Sequence, residues 1–207
     1  MLPSAALFID GSNLYHALKQ EGRLPFDYGS LFSELSLRFD LKQISFYDAL
    51  KDIARDPEGY AGQQQFHARL RKLGWPVRIR TRKLKYIANI DQSQVSAAAR
   101  HVGIIDSCKE KLWAFLQKLE LVRVTKEKGI DVLLVADAIE QARTKQFEAI
   151  ILLSGDADFV PAINLIRSFG VKTVNLHAYS GSSTELRNAC HEHILIDFDA
   201  NGGVFLG

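Results

Sequence analysis

Cysteine is almost missing from this sequence: Cys108 and Cys190 are the only two in 207 residues. A pair so placed builds no disulfide framework and matches no zinc-ligand spacing. The two read as buried thiols in a reducing compartment. Long hydrophobic runs are missing as well, and no stretch is long enough to span a bilayer. The start, Met1-Leu2-Pro3-Ser4-Ala5, carries no basic segment, and the apolar run after it is interrupted at Asp10, which is not the pattern of a secretory signal. Neither sign of charge dominates. Basic and acidic residues number 26 and 24, so the net charge is only +2 and any nucleic-acid surface must be local. Repeats, low-complexity tracts and interdomain linkers are also absent. The expectation is a single domain over residues 1–207, soluble and cytoplasmic, with no membrane partner. Apolar residues make up 47% of the chain, ample for a sizeable core.

Apolar runs alternate with amphipathic segments, which predicts an α/β fold around a parallel sheet. Strands are expected at about 5–9, 43–47, 76–82, 149–153, 171–176 and 193–197. Helices are expected at about 12–22, 28–39, 61–73, 106–118, 130–143 and 159–169, with a short one capped by Ser182 or Ser183 and running through Cys190. The strand alternation at 76–82 fails over Lys83-Leu84-Lys85, which predicts an end or a bulge there. Residues 88–103 are weakly patterned and are expected to have little order.

Three acidic stretches carry most of the functional information. They are Phe8-Ile9-Asp10-Gly11-Ser12-Asn13, Lys128-Gly129-Ile130-Asp131, and Ser154-Gly155-Asp156-Ala157-Asp158-Phe159. The first and third each follow an apolar strand. A parallel sheet sets such strand ends side by side at its carboxyl edge, where open α/β folds bind ligands. Asp10, Asp156 and Asp158 would then share one crevice, and carboxylates at close range repel unless a cation lies between them. A site built only of carboxylates suits a divalent metal and phosphoryl transfer. Each residue also has a plainer reading: Asp10 and Asp158 as helix caps, Asp156 as surface, and Asp131 as a charge placed at a helix start to complement its dipole. Asp48, after another strand, is a second-tier candidate, and Asp137 should point away from Asp131.

The dense basic run is Arg78, Arg80, Arg82, Lys83 and Lys85, with Tyr86 as a stacking platform. It would track a phosphate backbone, or merely guard a sheet edge. Ser180-Gly181-Ser182-Ser183 offers either an anion site or ordinary capping. Cys190, His191 and His193 match no standard metal spacing.

On these motifs, and on the weaker Ser183-Thr184-Glu185-Leu186-Arg187-Asn188, the chain resembles the NYN domains. These are a branch of the PIN-like metal-dependent ribonucleases, and the LabA-like group is the nearest in pattern. The resemblance covers residues 5–48 and 128–197. It implies a three-layer α/β/α sandwich with a central parallel sheet, and a Mg²⁺ or Mn²⁺ site that cleaves RNA, single-stranded by preference. By matching position, Asp10, Asp131, Asp156 and Asp158 form the acidic cluster, and Asn13 and Ser154 orient water or phosphate. Arg78, Arg80, Arg82, Lys83, Ser182 and Ser183 complete the substrate contacts read from the residues. The chain departs from the family in a longer stretch at about 88–118, an insertion or extension suited to a lid, a substrate platform or a homo-oligomer contact. It departs again at Cys190-His191, where a small residue and an acid would be expected.

Two other readings compete with the ribonuclease. One is an RNA- or protein-binding module that keeps the fold without turnover. The other is a phosphatase of the HAD type. That needs Asp-x-Asp directly after the first strand, where this chain has Asp10-Gly11-Ser12.

Overall fold

Ala5-Ala6-Leu7-Phe8-Ile9 can form a strand buried on both sides, because successive side chains point to opposite faces and every one is apolar. In the computed structural model it is β1, Ser4–Asp10, and it is an interior strand, third in a seven-stranded sheet. The structure describes residues 1–88, 92–118, 123–126, 129–199 and 202–207, without the side chains of 85–88, 92–94 and 123–126. Contacts divide the chain into two units, one of residues 1–82 with 129–207 and one of residues 83–128.

The first unit holds the sheet. After β1 come α1 (Gly11–Gln20), α2 (Tyr28–Ser36), β2 (Asp40–Leu50), α3 (Pro57–Arg71) and β3 (Val77–Lys83). The chain returns to this unit with α6 (Ile130–Arg143), β6 (Ala149–Leu153), a 3₁₀ turn Ala157–Phe159 and α7 (Val160–Ser168). It closes with β7 (Lys172–His177), α8 (Thr184–Ala189), β8 (Glu192–Phe198) and β9 (Val204–Leu206). The strand order is β3-β2-β1-β6-β7-β8-β9. Strand β1 pairs in parallel with β2 and β6, β6 with β7 and β7 with β8, whereas β9 runs antiparallel to β8.

Alternation along the strands splits the core into two faces. Leu7 and Ile9 join Ile151, Leu153, Val174 and Leu176 under Leu14 and Leu18 of α1 and Leu31, Phe32 and Leu35 of α2. Ala6 and Phe8 join Ile150 and Leu152 under Leu134 and Ala138 of α6, Ile163 and Ile166 of α7, and Leu186 of α8. The result is the expected α/β/α sandwich. Each fully buried Leu, Ile or Phe contributes about 1.5–3 kcal/mol, so the two faces carry most of the stability.

The second unit holds β4 (Lys85–Ala88), α4 (Gln92–His101), α5 (Asp106–Lys118) and β5 (Arg123–Lys126). Strands β4 and β5 pair antiparallel, Lys85 opposite Lys126 and Ala88 opposite Arg123. Over the described part of 88–103, the expectation of little order is corrected: it contains α4, in which Val95 and Ala99 are buried. Periodicity missed it because the segment carries few large apolar residues. The unit is also wider than 88–118 at both ends. The break at Leu84, between β3 and β4, falls where the alternation fails.

Helix starts follow their caps. Asp10 caps α1, as its plainer reading had it, because its Oδ1 accepts from Asn13 N at 3.1 Å. Helix α3 begins at Pro57, ahead of the expected 61, since Asp56 accepts from Gly59 N at 2.8 Å and proline suits a first turn. Strand β2 is longer than expected because its pairing with β1 runs from Asp40 to Tyr47.

Gly11 allows the tight exit from β1. A Cβ there would lie 2.6 Å from the Phe46 ring and 2.7 Å from the Tyr47 carbonyl oxygen. Gly11→Ala should therefore destabilise the protein by about 1–3 kcal/mol, the usual scale of overpacking. Urea unfolding checks this, and an unchanged midpoint would show that the β1–α1 turn relaxes freely.

Candidate functional site

The chain builds outward from β1 through β2 to β3, then returns to β6 on the other side and builds outward again. The order therefore reverses between β1 and β6. At such a switch point the loops diverge above the strand ends and leave a crevice. Ile9 stands opposite Leu153, so Asp10 and Ser154 leave the two strands side by side.

Asp10 is almost buried, 6% exposed. Besides capping α1, it accepts through Oδ2 from Ser154 Oγ at 3.0 Å. The same hydroxyl oxygen accepts from Asp156 N at 3.2 Å. Asn13 Oδ1 accepts from Gly155 N at 2.8 Å, tying the first turn of α1 to the turn after β6. Asp156 Oδ1 accepts from Asp158 N at 2.9 Å and caps the 3₁₀ turn, leaving Asp158 exposed. Capping thus falls to Asp156, not to Asp158 as the plainer sequence reading had it. For Asp10, capping and site membership coexist, one oxygen serving each.

Asp131 stands in the first turn of α6, whose N-cap, Gly129, has φ of +84°. It reaches solvent, yet surrounding protein removes enough water to raise its carboxyl pKa, and the charges of Asp156 and Asp158 raise it further. Asp131 therefore lies within electrostatic reach of the pair that follows β6. Asp10 is joined to Asp156 through one serine.

Asp10, Asp131, Asp156 and Asp158 offer only hard oxygen donors, the chemistry of a divalent-cation site. Among the described residues, no three His, Cys, Asp or Glu side chains converge tightly enough to hold a cation by themselves.

The other sequence candidates have defined partners. Arg80 grips Asp137 with two bonds, at 2.9 and 3.1 Å, and Tyr47 donates to the same carboxylate at 2.8 Å. Burial, then Asp137, pushes the Tyr47 hydroxyl pKa far up, so it stays a donor. Arg80 is therefore a tie between β3 and α6, while Arg78 and Arg82 are exposed. Lys83 is exposed at the end of β3; the side chains of Lys85 and Tyr86 lie outside the described residues. Asp48 accepts from Gln63 at 2.7 Å and pairs with buried His67 at 2.8 Å, anchoring α3. Ser183 caps α8 by accepting from Leu186 N at 3.1 Å, and Ser182 receives Arg187. Burial lifts the Cys190 thiol to about 11, and His191 is bound to Thr173, so neither is set up as a metal ligand.

Asn175 is the residue that sequence reading missed. Fully buried in β7, it donates through Nδ2 to Ser154 O at 2.9 Å and Leu152 O at 3.2 Å, holding the turn that carries Ser154. The signal was an amide inside Val174-Asn175-Leu176, an otherwise apolar strand. Gly155 is the other constraint. A Cβ there would overlap the Gly181 carbonyl oxygen, because the loop before α8 lies directly on it, with Ser183 N donating to Gly155 O at 2.9 Å.

A carboxyl whose folded pKa exceeds its ordinary 3.8 costs stability when ionised. The cost is full above the folded pKa and vanishes below 3.8. Asp131→Asn should therefore raise the metal-free Tm at neutral pH, and the gain should fade on acidification. Thermal melts at several pH values check this; a gain that persists undiminished below pH 3.8 would remove like-charge repulsion as its cause.

Comparison with known proteins bears on the family and the fold. A 60-residue stretch is 35% identical to "Uncharacterized protein y4oD" of Sinorhizobium fredii (strain NBRC 101917 / NGR234), covering 28% of this chain and 28% of that protein. The fold is similar to the crystal structure of VPA0982, a protein of unknown function from Vibrio parahaemolyticus RIMD 2210633. The TM-score is 0.62 at 21% identity, over 99% of this chain and 97% of that one. No helix among the described residues is long and apolar enough to cross a membrane. Residues 4–197 match the NYN domain, so the chain belongs to the NYN family, within the PIN-like nuclease superfamily.

Proposed function

We propose that the protein is a Mg²⁺- or Mn²⁺-dependent endoribonuclease of the LabA-like branch, cutting single-stranded RNA in the cytoplasm. The supporting observation is the carboxylate set at the β1–β6 switch point: Asp10 joined to Asp156 through Ser154, and Asp131 raised by burial and then by the charges of Asp156 and Asp158. A bound divalent ion would supply an acidified water and neutralise charge on the phosphodiester.

The chain's own residues have separate tasks. Asp10 and Asp156 are the held carboxylates, because hydrogen bonds fix both. Asp158 and Asp131 are the exposed ones, free to meet the ion or its waters. Ser154 and Asn13 use their side-chain oxygens inside the protein, so they act as positioning residues. Arg78 and Arg82 lie on the edge strand, two strands from β1, roughly 10 Å at ordinary strand spacing. That separation suits contact with flanking phosphates.

The alternative is an RNA- or protein-binding module without turnover. It draws on the fact that no three described side chains converge as ligands. One variant separates the two readings. Asp158→Asn removes a charge from an exposed side chain and leaves the turn's hydrogen bonds in place. In the nuclease, it should still bind RNA while cleavage falls at least about a hundredfold, the scale on which single electrostatic groups act on a transition state. EDTA should silence the wild type and Mn²⁺ restore it. Wild type that binds RNA but shows no Mn²⁺-dependent cleavage would establish the binding module instead.

Arg78→Ala/Arg82→Ala should lower the log–log salt slope for single-stranded RNA by about 1.4, at about 0.7 per phosphate contact. Binding titrations across salt concentrations measure this, and an unchanged slope in a folded protein would return both arginines to guarding the sheet edge.

A further inference from the structure

Tyr179 is the feature of the site region that neither folding nor the carboxylate chemistry uses. Its side chain is 82% exposed; among the described large apolar and aromatic residues only Met1 is more so. It lies between β7 and α8, in a loop fastened at two points. Ser180 N donates to Glu21 Oε1 at 2.6 Å, tying the loop to the end of α1. Ser183 N donates to Gly155 O, tying it to the turn that carries Asp156. Arg187 holds the Ser182 carbonyl at 3.3 Å, and the Gly181 carbonyl lies against Gly155. A loop held this way presents its aromatic ring at little further entropic cost.

We infer that Tyr179 is a nucleobase-stacking subsite at the rim of the carboxylate crevice, so that the substrate is taken as an unpaired strand. The inference rests on the ribonuclease reading for the identity of the neighbouring crevice. A π-face accepts any base once it is unstacked, and aromatic platforms are how proteins commonly hold single strands. Inside a duplex the bases are already stacked on one another and offer no free face. A protein partner fits less well. Tyr179 is followed by Ser180, Gly181, Ser182 and Ser183, a run of small polar residues that supplies no contiguous apolar patch. The same loop lies on Gly155, so a base held at Tyr179 belongs to a nucleotide near the one that Asp156 would address.

The experiment uses the full chain in EDTA, so that binding is read without cleavage. The probe is a short single-stranded RNA carrying 2-aminopurine, whose fluorescence is quenched by stacking, with its duplex as the comparison. Wild type and Tyr179→Phe should bind the single strand and quench it alike, because both keep the ring. Tyr179→Ala should weaken single-strand binding roughly 5- to 150-fold, the measured range for loss of one stacked base. It should also lose the quenching, leave duplex binding unchanged and melt at the wild-type temperature. Equal affinity and equal quenching in wild type and Tyr179→Ala overturn the subsite while leaving the nuclease reading intact. Loss in Tyr179→Phe overturns it too, since the hydroxyl would then be the contact. An equal loss for duplex RNA overturns the preference for an unpaired strand. Wild type that binds and quenches but never cleaves with Mn²⁺ keeps the subsite and removes the nuclease. Wild type that binds no RNA removes both.

Discussion

The parallel pairing of β1 with β6 is the constraint on which the candidate site depends. Ile9 stands opposite Leu153, and that register alone brings Asp10 beside Ser154, 144 residues later in the chain. The side-chain period of a strand is two residues, so a slip of one would exchange β6's two sets of apolar side chains between faces that are packed against different helices. The packing of Ile151 and Leu153 on one side and Ile150 and Leu152 on the other therefore holds the register. Core packing and site geometry are one requirement here, because the same strands serve both.

Given that register, a small polar frame sets the carboxylates. Ser154 joins Asp10 to Asp156, Asn13 holds Gly155, and Asn175 holds the Ser154 carbonyl from the next strand. These bonds are buried or half-buried, where an unmade hydrogen bond costs about 1–3 kcal/mol. The frame thus resists rearrangement even though the acids it carries repel one another. The raised pKa of Asp131 comes first from burial and then from the charges of Asp156 and Asp158. Both make the ionised carboxyl costly to the fold. Arg80, Asp137 and Tyr47 brace the other end of the arrangement, fastening α6, and so Asp131, to β2 and β3.

Much of this was legible from residues alone. Strand β6 and helices α5 and α6 fall where the apolar periodicity places them, at Ala149–Leu153, Asp106–Lys118 and Ile130–Arg143. The acidic motifs stand out because a charge directly after a buried strand has to leave the core. What was not legible had local reasons. Helix α4 is poor in large apolar residues, so its period is faint. Helix α3 starts four residues early because Asp56 and Pro57 fix its first turn ahead of the apolar pattern. Strand β9, Val204–Leu206, is too short to show alternation.

Features that depend on neighbours within a few residues were written in the sequence. These are the alternation of strands and helices, the breaks at glycines, the cap at Ser183, and the acids at strand ends. Partnership across the fold was decided only in three dimensions. Arg80 looked free to meet phosphate and is committed to Asp137; Asn175, which no sequence motif singles out, holds the Ser154 turn; Tyr179, equally unmarked, stands out in solvent. The reason is that a side chain's neighbours in sequence follow from helix and strand geometry alone. Its neighbours in space follow from sheet order and register, which the packing of the whole core selects.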